Sequence, residues 1–285
     1  MDIAPPADRA ARLHGRRDVR LGPVEPPVAG EGQVVVRVTA VGLCGSDLHW
    51  YDEGSIGDTR LTRPLVLGHE FAGVIEDGPR AGERVAVDPA DPCEVCDLCR
   101  AGLGRLCPDV RFFGLDPDDG ALRTRVAASA SRCVALRDAI PDHEAPLLEV
   151  LGIALHAVDL AEARPGMTAG VYGAGPVGQL VIRVLRLRGL DVVATDRLPH
   201  RVEAARASGA AMALLVGEPD PAATVPVDVA FECSGEDAAL DTATRAVRPA
   251  SGLTPSGRSG RRAAGRPRPR SPAPPTPPPG RRHRA

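Results

Sequence analysis

The chain has 285 residues, of which 43% are apolar and only 2% aromatic, enough for two domains with aliphatic cores of Val, Leu and Ala. Its net charge of −2 is unevenly spread: the residues after Arg248 carry nine Arg and no Asp or Glu, which leaves the preceding body at −11 and argues against nucleic-acid binding there. No apolar run reaches the roughly eighteen residues of a membrane span, and the N-terminus lacks a signal peptide's apolar stretch, so a cytoplasmic protein with no membrane partner is expected. In that compartment the seven Cys read as metal ligands or buried thiols rather than as a disulfide framework. Lys and Asn, whose codons are A-rich, are absent, which points to a gene of high G+C content.

In chain order, QVVVRVTAVGL (33–43), LVLGHEFAGVIE (65–76), RVAVDP (84–89) and ALRTRVAAS (121–129) are short strand runs punctuated by Gly and Pro, the spacing of a β-rich, barrel-like domain. EAPLLEVLGIALHAVDLAEA (144–163) has helical length and period and connects the two halves. From Gly166 the pattern becomes strand–helix–strand: TAGVYGAG, DVVATD, AMALLVG and VDVAFECSG alternate with amphipathic helices, which predicts a doubly wound parallel sheet. The expected division is 1–150, 151–248 and a tail over 249–285.

Cys93, Cys96, Cys99 and Cys107 follow one another at x2, x2 and x7 spacing. Four thiolates complete a tetrahedral zinc site with no open position, so this metal would hold a loop in shape. An iron–sulfur cluster is the alternative for a Cx2Cx2C run. GLCGSDLHWYDEGSIGD and LVLGHEFAG add Cys44, Asp47, His49, His69 and Glu70. Taken singly, Cys44 reads more readily as a small buried hydrophobe, His69 as a satisfied turn residue and Glu70 as a solvated charge. Trp50 and Tyr51 read as lining a substrate cleft or as packing, Cys133 and Cys233 as buried thiols, and His156 as a packing residue of the connecting helix.

Together, GLCGSDLHWYDEGSIGD, PLVLGHEFAGVIE, the four-cysteine loop, EAPLLEVLGIALHA and VYGAGPVG resemble, in order, the motifs of zinc-dependent medium-chain alcohol dehydrogenases, with the polyol (sorbitol-type) and threonine dehydrogenase branch nearest. The resemblance spans about 20 to 248. It implies a GroES-like catalytic domain followed by a Rossmann domain, a structural zinc on the four cysteines, and a catalytic zinc held by Cys44 and His69. Glu70 and Glu149 are the candidates for its further ligand or for holding its water. By the same likeness Asp47 orients the imidazole of His69, a common device for metal-bound His, and Ser46 and His49 relay the alcohol proton to solvent. An open zinc position acidifies an alcohol while a nicotinamide takes the hydride. EVLG at Glu149 departs from the family's usual Glu-Pro-Leu run, and the stretch between Gly73 and Arg84 is short.

Gly173, Gly175, Pro176, Val177 and Gly178 form a GxGxxG turn between a strand and a helix, where glycines admit the diphosphate of a dinucleotide to the helix N-terminus. Asp196 ends the next strand, 18 residues after Gly178, and a carboxylate there favours NAD over NADP; Arg197 beside it softens that preference.

In the family two further strands follow the position of Arg248, and homo-oligomers pair through such a sheet edge. Residues 249–285 hold ten Pro and nine Arg without apolar period, so the sequence predicts an incomplete Rossmann sheet, a missing dimer edge and a disordered tail. A frameshift in G+C-rich DNA, a zinc- and nucleotide-binding remnant without turnover, and a basic tail that binds nucleic acid are the competing explanations. The leading functional expectation is oxidation of a secondary alcohol or polyol.

Overall fold

The computed structural model describes residues 7–217 and 225–255. Its first part is built on a five-stranded antiparallel sheet in the order Arg125–Ser129, Gln33–Gly42, Glu70–Ile75, Arg84–Val87 and Cys133–Ala135. The alternation in QVVVRVTAVG places Val34 and Val36 on the inner face, where they pack with Phe71, Ile75, Val85, Val87 and Val126. A smaller sheet, Asp18–Pro23, Arg9–Gly15 and Leu65–Val66, closes one side. The single run read at 65–76 is thus two strands belonging to different sheets. Gly68, at a φ of 92°, turns the chain between them.

The connecting helix, Leu147–Leu160, is three residues shorter at each end than its apolar pattern. It packs against the strands Glu70–Ile75 and Arg84–Val87 on one side and against the helix Pro176–Leu187 on the other. His156 is exposed on it rather than packed.

The second part is a wholly parallel sheet in the order Met212–Leu215, Asp191–Asp196, Thr168–Tyr172, Val227–Glu232 and Val247–Pro255. Val171, Val192, Ala194, Val229 and Phe231 form its core with Val181, Ile182 and Leu185 of the helix Pro176–Leu187. Chain order reverses on either side of Thr168–Tyr172, and a crevice opens there at the carboxyl ends of the strands.

The last strand corrects the expected break at Arg248. Val229 pairs with Gly252, Ala230 with Leu253 and Glu232 with Pro255, so the first of the two further strands is present. Pro249 is tolerated because this strand lies at the sheet edge and the register shifts between Val227 and Val229, where the chain bulges past it. The disorder expected beyond Pro255 falls outside the described residues, and among those residues no helix is long and apolar enough to cross a membrane.

Candidate active site and coenzyme pocket

Cys44 follows the strand Gln33–Gly42 and opens the helix Gly45–Glu53. The neighbouring strand begins at Glu70, which pairs with Gly42, so backbone register alone brings His69 and Glu70 beside Cys44. The ligand atoms of Cys44, His69 and Glu70 all lie within 4.8 Å of one another. His69 and Glu70 are buried and Cys44 half-buried. Gly42 makes the room: a Cβ there would stand 2.3 Å from a carboxylate oxygen of Glu70.

Asp47 holds this arrangement, in a way the sequence did not show. Its buried carboxylate accepts the N–H of Cys44 at 2.9 Å and that of Gly68 at 3.0 Å, tying together the two loops that carry the sulfur and the imidazole. Nδ1 of His69 is 3.9 Å away, beyond hydrogen-bond reach, so Asp47 acts on the ring by charge and on its loop by hydrogen bonding. Ser46 lies near the Cys44 sulfur and favours its ionised form against the burial that opposes it. His49 bonds Glu53 at 2.8 Å on the exposed side of the same helix. The ring of Phe112 lies 5.4 Å from that of His69. Glu149, in the first turn of the connecting helix, lies outside the three-residue set but close enough for its charge to be felt by His69 and Glu70.

Burial pushes the thiol of Cys44 and the carboxyls of Glu70 and Glu149 above their ordinary values. Glu70 adds to the shift at Cys44, and His69 opposes those at the two carboxyls. Three acidic groups crowded in a poorly solvated place are unfavourable as anions unless a cation joins them. The mixed sulfur, nitrogen and oxygen set suits zinc.

Trp50 is not a cleft residue. It is fully buried among Leu13, Ile56, Leu65 and Leu67, while Tyr51 keeps partial exposure. Cys133 is the buried thiol expected, pushed up to about 11 by desolvation, and Cys233 packs against the parallel-sheet core.

The four-cysteine loop is a second cluster, with its sulfurs also within 4.8 Å of one another. Cys93 and Cys99 are 4.0 Å apart, as are Cys96 and Cys107, near the edge of about 3.8 Å expected for a tetrahedron of thiolates around one zinc. That spacing is too long for a disulfide and too tight for a cage of several irons and sulfides. Backbone N–H groups of Val95 and Cys96 lower Cys93 to about 7, whereas desolvation and neighbouring thiols raise Cys99 to about 12.

At the glycine turn, Gly173 has a φ of 98°, and a Cβ there would stand 2.7 Å from the N of Ser234. A Cβ on Gly178 would strike the carbonyl of Gly173. Gly175 caps the helix and Pro176 opens it. Asp196 is buried: Oδ2 accepts the N–H of Ala174 at 2.8 Å and Oδ1 that of Leu198 at 2.9 Å. The residue read as a ribose acceptor therefore also pins the glycine turn. A cavity of about 240 Å3 in front of it is lined by Gly173, Asp196, Arg197, Arg201 and Glu236. Arg201 and Glu236 carry no motif and were not read from the sequence.

A GroES-like barrel joined to a parallel nucleotide sheet, with one closed and one mixed metal cluster, defines a metal-dependent dehydrogenase. Residues 30–138 match the alcohol dehydrogenase GroES-like domain, and residues 176–263 match the zinc-binding dehydrogenase domain, past the break expected at Arg248. Sorbitol dehydrogenase of Bacillus subtilis (strain 168) is 35% identical over 254 residues, covering 84% of this chain and 72% of its own; that of Homo sapiens is 32% identical, covering 86% and 73%. L-idonate 5-dehydrogenase from Escherichia coli superposes with a TM-score of 0.80 at 26% identity, over 90% of this chain and 78% of its own. A zinc-binding dehydrogenase from Sinorhizobium meliloti, solved bound to NADP, gives 0.82 at 26% identity, over 92% and 81%. The chain belongs to the zinc-dependent medium-chain alcohol dehydrogenase family.

Proposed function

We propose that this chain is a zinc-dependent polyol dehydrogenase that oxidises a secondary alcohol to a ketone and passes the hydride to a nicotinamide coenzyme. The observation that carries the reading is the convergence of Cys44, His69 and Glu70 in one buried cluster, in a chain whose relatives include sorbitol dehydrogenases. Cys44 and His69 hold the catalytic zinc, with Glu70 or Glu149 as the oxygen ligand. When bound, this ion supplies the positive charge that acidifies the alcohol. Asp47 fixes the two ligand loops, and Ser46 favours the Cys44 thiolate. The alcohol proton leaves along the helix Gly45–Glu53, from Ser46 to His49, one turn further on and hydrogen-bonded to Glu53 at the surface. Cys93, Cys96, Cys99 and Cys107 hold a structural zinc.

The turn from Gly173 to Gly178, with Pro176 and Val177 opening the helix, takes the coenzyme diphosphate, and Asp196 takes the adenosine ribose. We assign the catalytic part to residues 1–150 and the coenzyme part to the chain from 151 through the edge strand ending at Pro255. Cysteines that form no disulfide among the described residues agree with action in the cytoplasm.

Zinc-loaded protein mixed with NAD or NADP and a panel of polyols should form reduced nicotinamide, and Cys44→Ser should abolish it. Folded, zinc-replete protein that reduces neither coenzyme with any polyol would instead mark a zinc- and nucleotide-binding remnant.

A further inference from the structure

The catalytic part also holds a cavity of about 430 Å3 whose lining includes none of Cys44, His69, Glu70 and Glu149. We propose that this cavity binds a small hydroxycarboxylate anion, held through the guanidinium of Arg123.

Arg123 has a fixed backbone, which bridges Ala10 of the smaller sheet. Its side chain is half-buried, and among the described residues it is the one arginine of that class with no carboxylate within 4.0 Å; every other has such a partner. The two carboxylates whose charge reaches it are held elsewhere. Asp119 pairs with Arg63 at 3.4 Å and accepts the N–H of Val66 at 3.1 Å, and Asp8 pairs with Arg125 at 2.9 Å. Among the described residues, the one hydrogen bond of the Arg123 side chain runs from Nη2 to the carbonyl of Glu25 at 3.2 Å, and its buried Nε donates to nothing. Burial lowers the pKa of this guanidinium, and the cation of Arg12 adds to the effect. A desolvated, unpaired cation disfavours the fold until an anion joins it.

The cavity decides which anion fits. Asp91, Asp118 and Asp119 line it with Arg123, so a phosphate dianion would meet repulsion on several sides. A single carboxylate matches the one unpaired guanidinium and can take two parallel N–H bonds from it. The same aspartates offer acceptors to hydroxyl groups, and Gln33, whose Oε1 takes the N–H of Gly30 at 3.1 Å, keeps its amide donors for them. Pro27 and Phe113 give the carbon chain an apolar wall. Phe112 lines the cavity and its ring lies 5.4 Å from that of His69, so the two sites are neighbours that share no ligand-holding residue.

Calorimetric titration of the zinc-loaded chain without coenzyme tests the site, using gluconate, the uncharged sorbitol and inorganic phosphate. Gluconate should bind, with phosphate weaker by about tenfold or more. Arg123→Met should weaken gluconate by about tenfold and Arg123→Lys by about threefold, with sorbitol unchanged. His69→Ala should leave gluconate within about twofold. Without ligand, Arg123→Met should melt about 1–3 °C above wild type, so that its lost binding is not lost folding. The proposal is overturned if gluconate does not bind, if it binds Arg123→Met as well as wild type, or if His69→Ala abolishes its binding. It is overturned equally if phosphate binds more tightly than gluconate, or if Arg123→Met weakens sorbitol as much. Polyol turnover without gluconate binding would break this proposal alone, whereas gluconate binding without turnover would break only the dehydrogenase reading.

Discussion

The two metal-type clusters contain five cysteines between them, yet they are built by opposite means. Cys93, Cys96, Cys99 and Cys107 come from one loop of fifteen residues, are half-buried except for the buried Cys107, and support each other through N–H to sulfur bonds such as Cys93 to Cys107 and Cys99 to Cys96, both at 3.4 Å. Cys44, His69 and Glu70 come from the ends of two paired strands and are held by Asp47, which touches the backbone of both. A local cage can organise itself around a metal. A non-local cluster exists only once the sheet has formed, and so it can keep an incomplete ligand set that leaves room for a reacting molecule.

The sharpest way to break this comparison is to delete one ligand from each cluster. His69→Ala should lower polyol turnover by roughly three orders of magnitude, since the ion's charge is worth several kcal/mol to the transition state, while Tm and the four-cysteine zinc stay near wild type. Cys99→Ser should act the other way, losing the loop metal and about 10 °C of Tm. Equal losses of stability from both variants would show that the clusters do not differ in role.

A smaller effect probes the support of the catalytic cluster. Asp47→Asn keeps the size of the side chain but removes the charge that faces His69 and one of the two backbone acceptors. Zinc affinity at the catalytic site should fall by about ten- to a hundredfold, with little change at the cysteine loop. Zinc titration with a chromophoric chelator reads both sites.

The smallest effect concerns the buried acids. Burial raises the carboxyl of Glu149 above its ordinary value of 4.5, so in the metal-free chain its ionised form is disfavoured in the folded state. The unfolded chain then gives up this proton more readily, and ionisation costs stability as pH rises from 4.5 towards the folded value. Metal-free Glu149→Gln should melt about 1–3 °C above metal-free wild type at neutral pH, with the difference vanishing below the ordinary value. A constant difference across the pH range would assign the effect to packing.

What the sequence made legible follows the same local and non-local divide. The cysteine loop and the glycine turn were readable because their parts sit within a few residues, and their chemistry fixes the spacing. Cys44 and His69 are separated by a full strand pairing, so only the ordered motifs of a known family joined them. Asp47 was assigned to the imidazole, but its bonds run to two backbone N–H groups whose proximity depends on the pairing of Gly42 with Glu70. Trp50 follows His49 in sequence, yet helical geometry turns it into the core instead. The edge strand at Val247–Pro255 was missed because proline and polar residues read as a stop, whereas an edge strand needs only one bonded side and can bulge past Pro249.

The central claim, that one chain carries a closed zinc site and a separate reactive one, is tested most directly by counting zinc per chain in wild type and in two double variants. Wild type should bind two ions, and Cys44→Ser with His69→Ala should retain one and lose turnover. Cys99→Ser with Cys107→Ser should retain only the other. Saturation of the wild type at a single ion, or two ions kept when Cys44 and His69 are both replaced, would contradict the account.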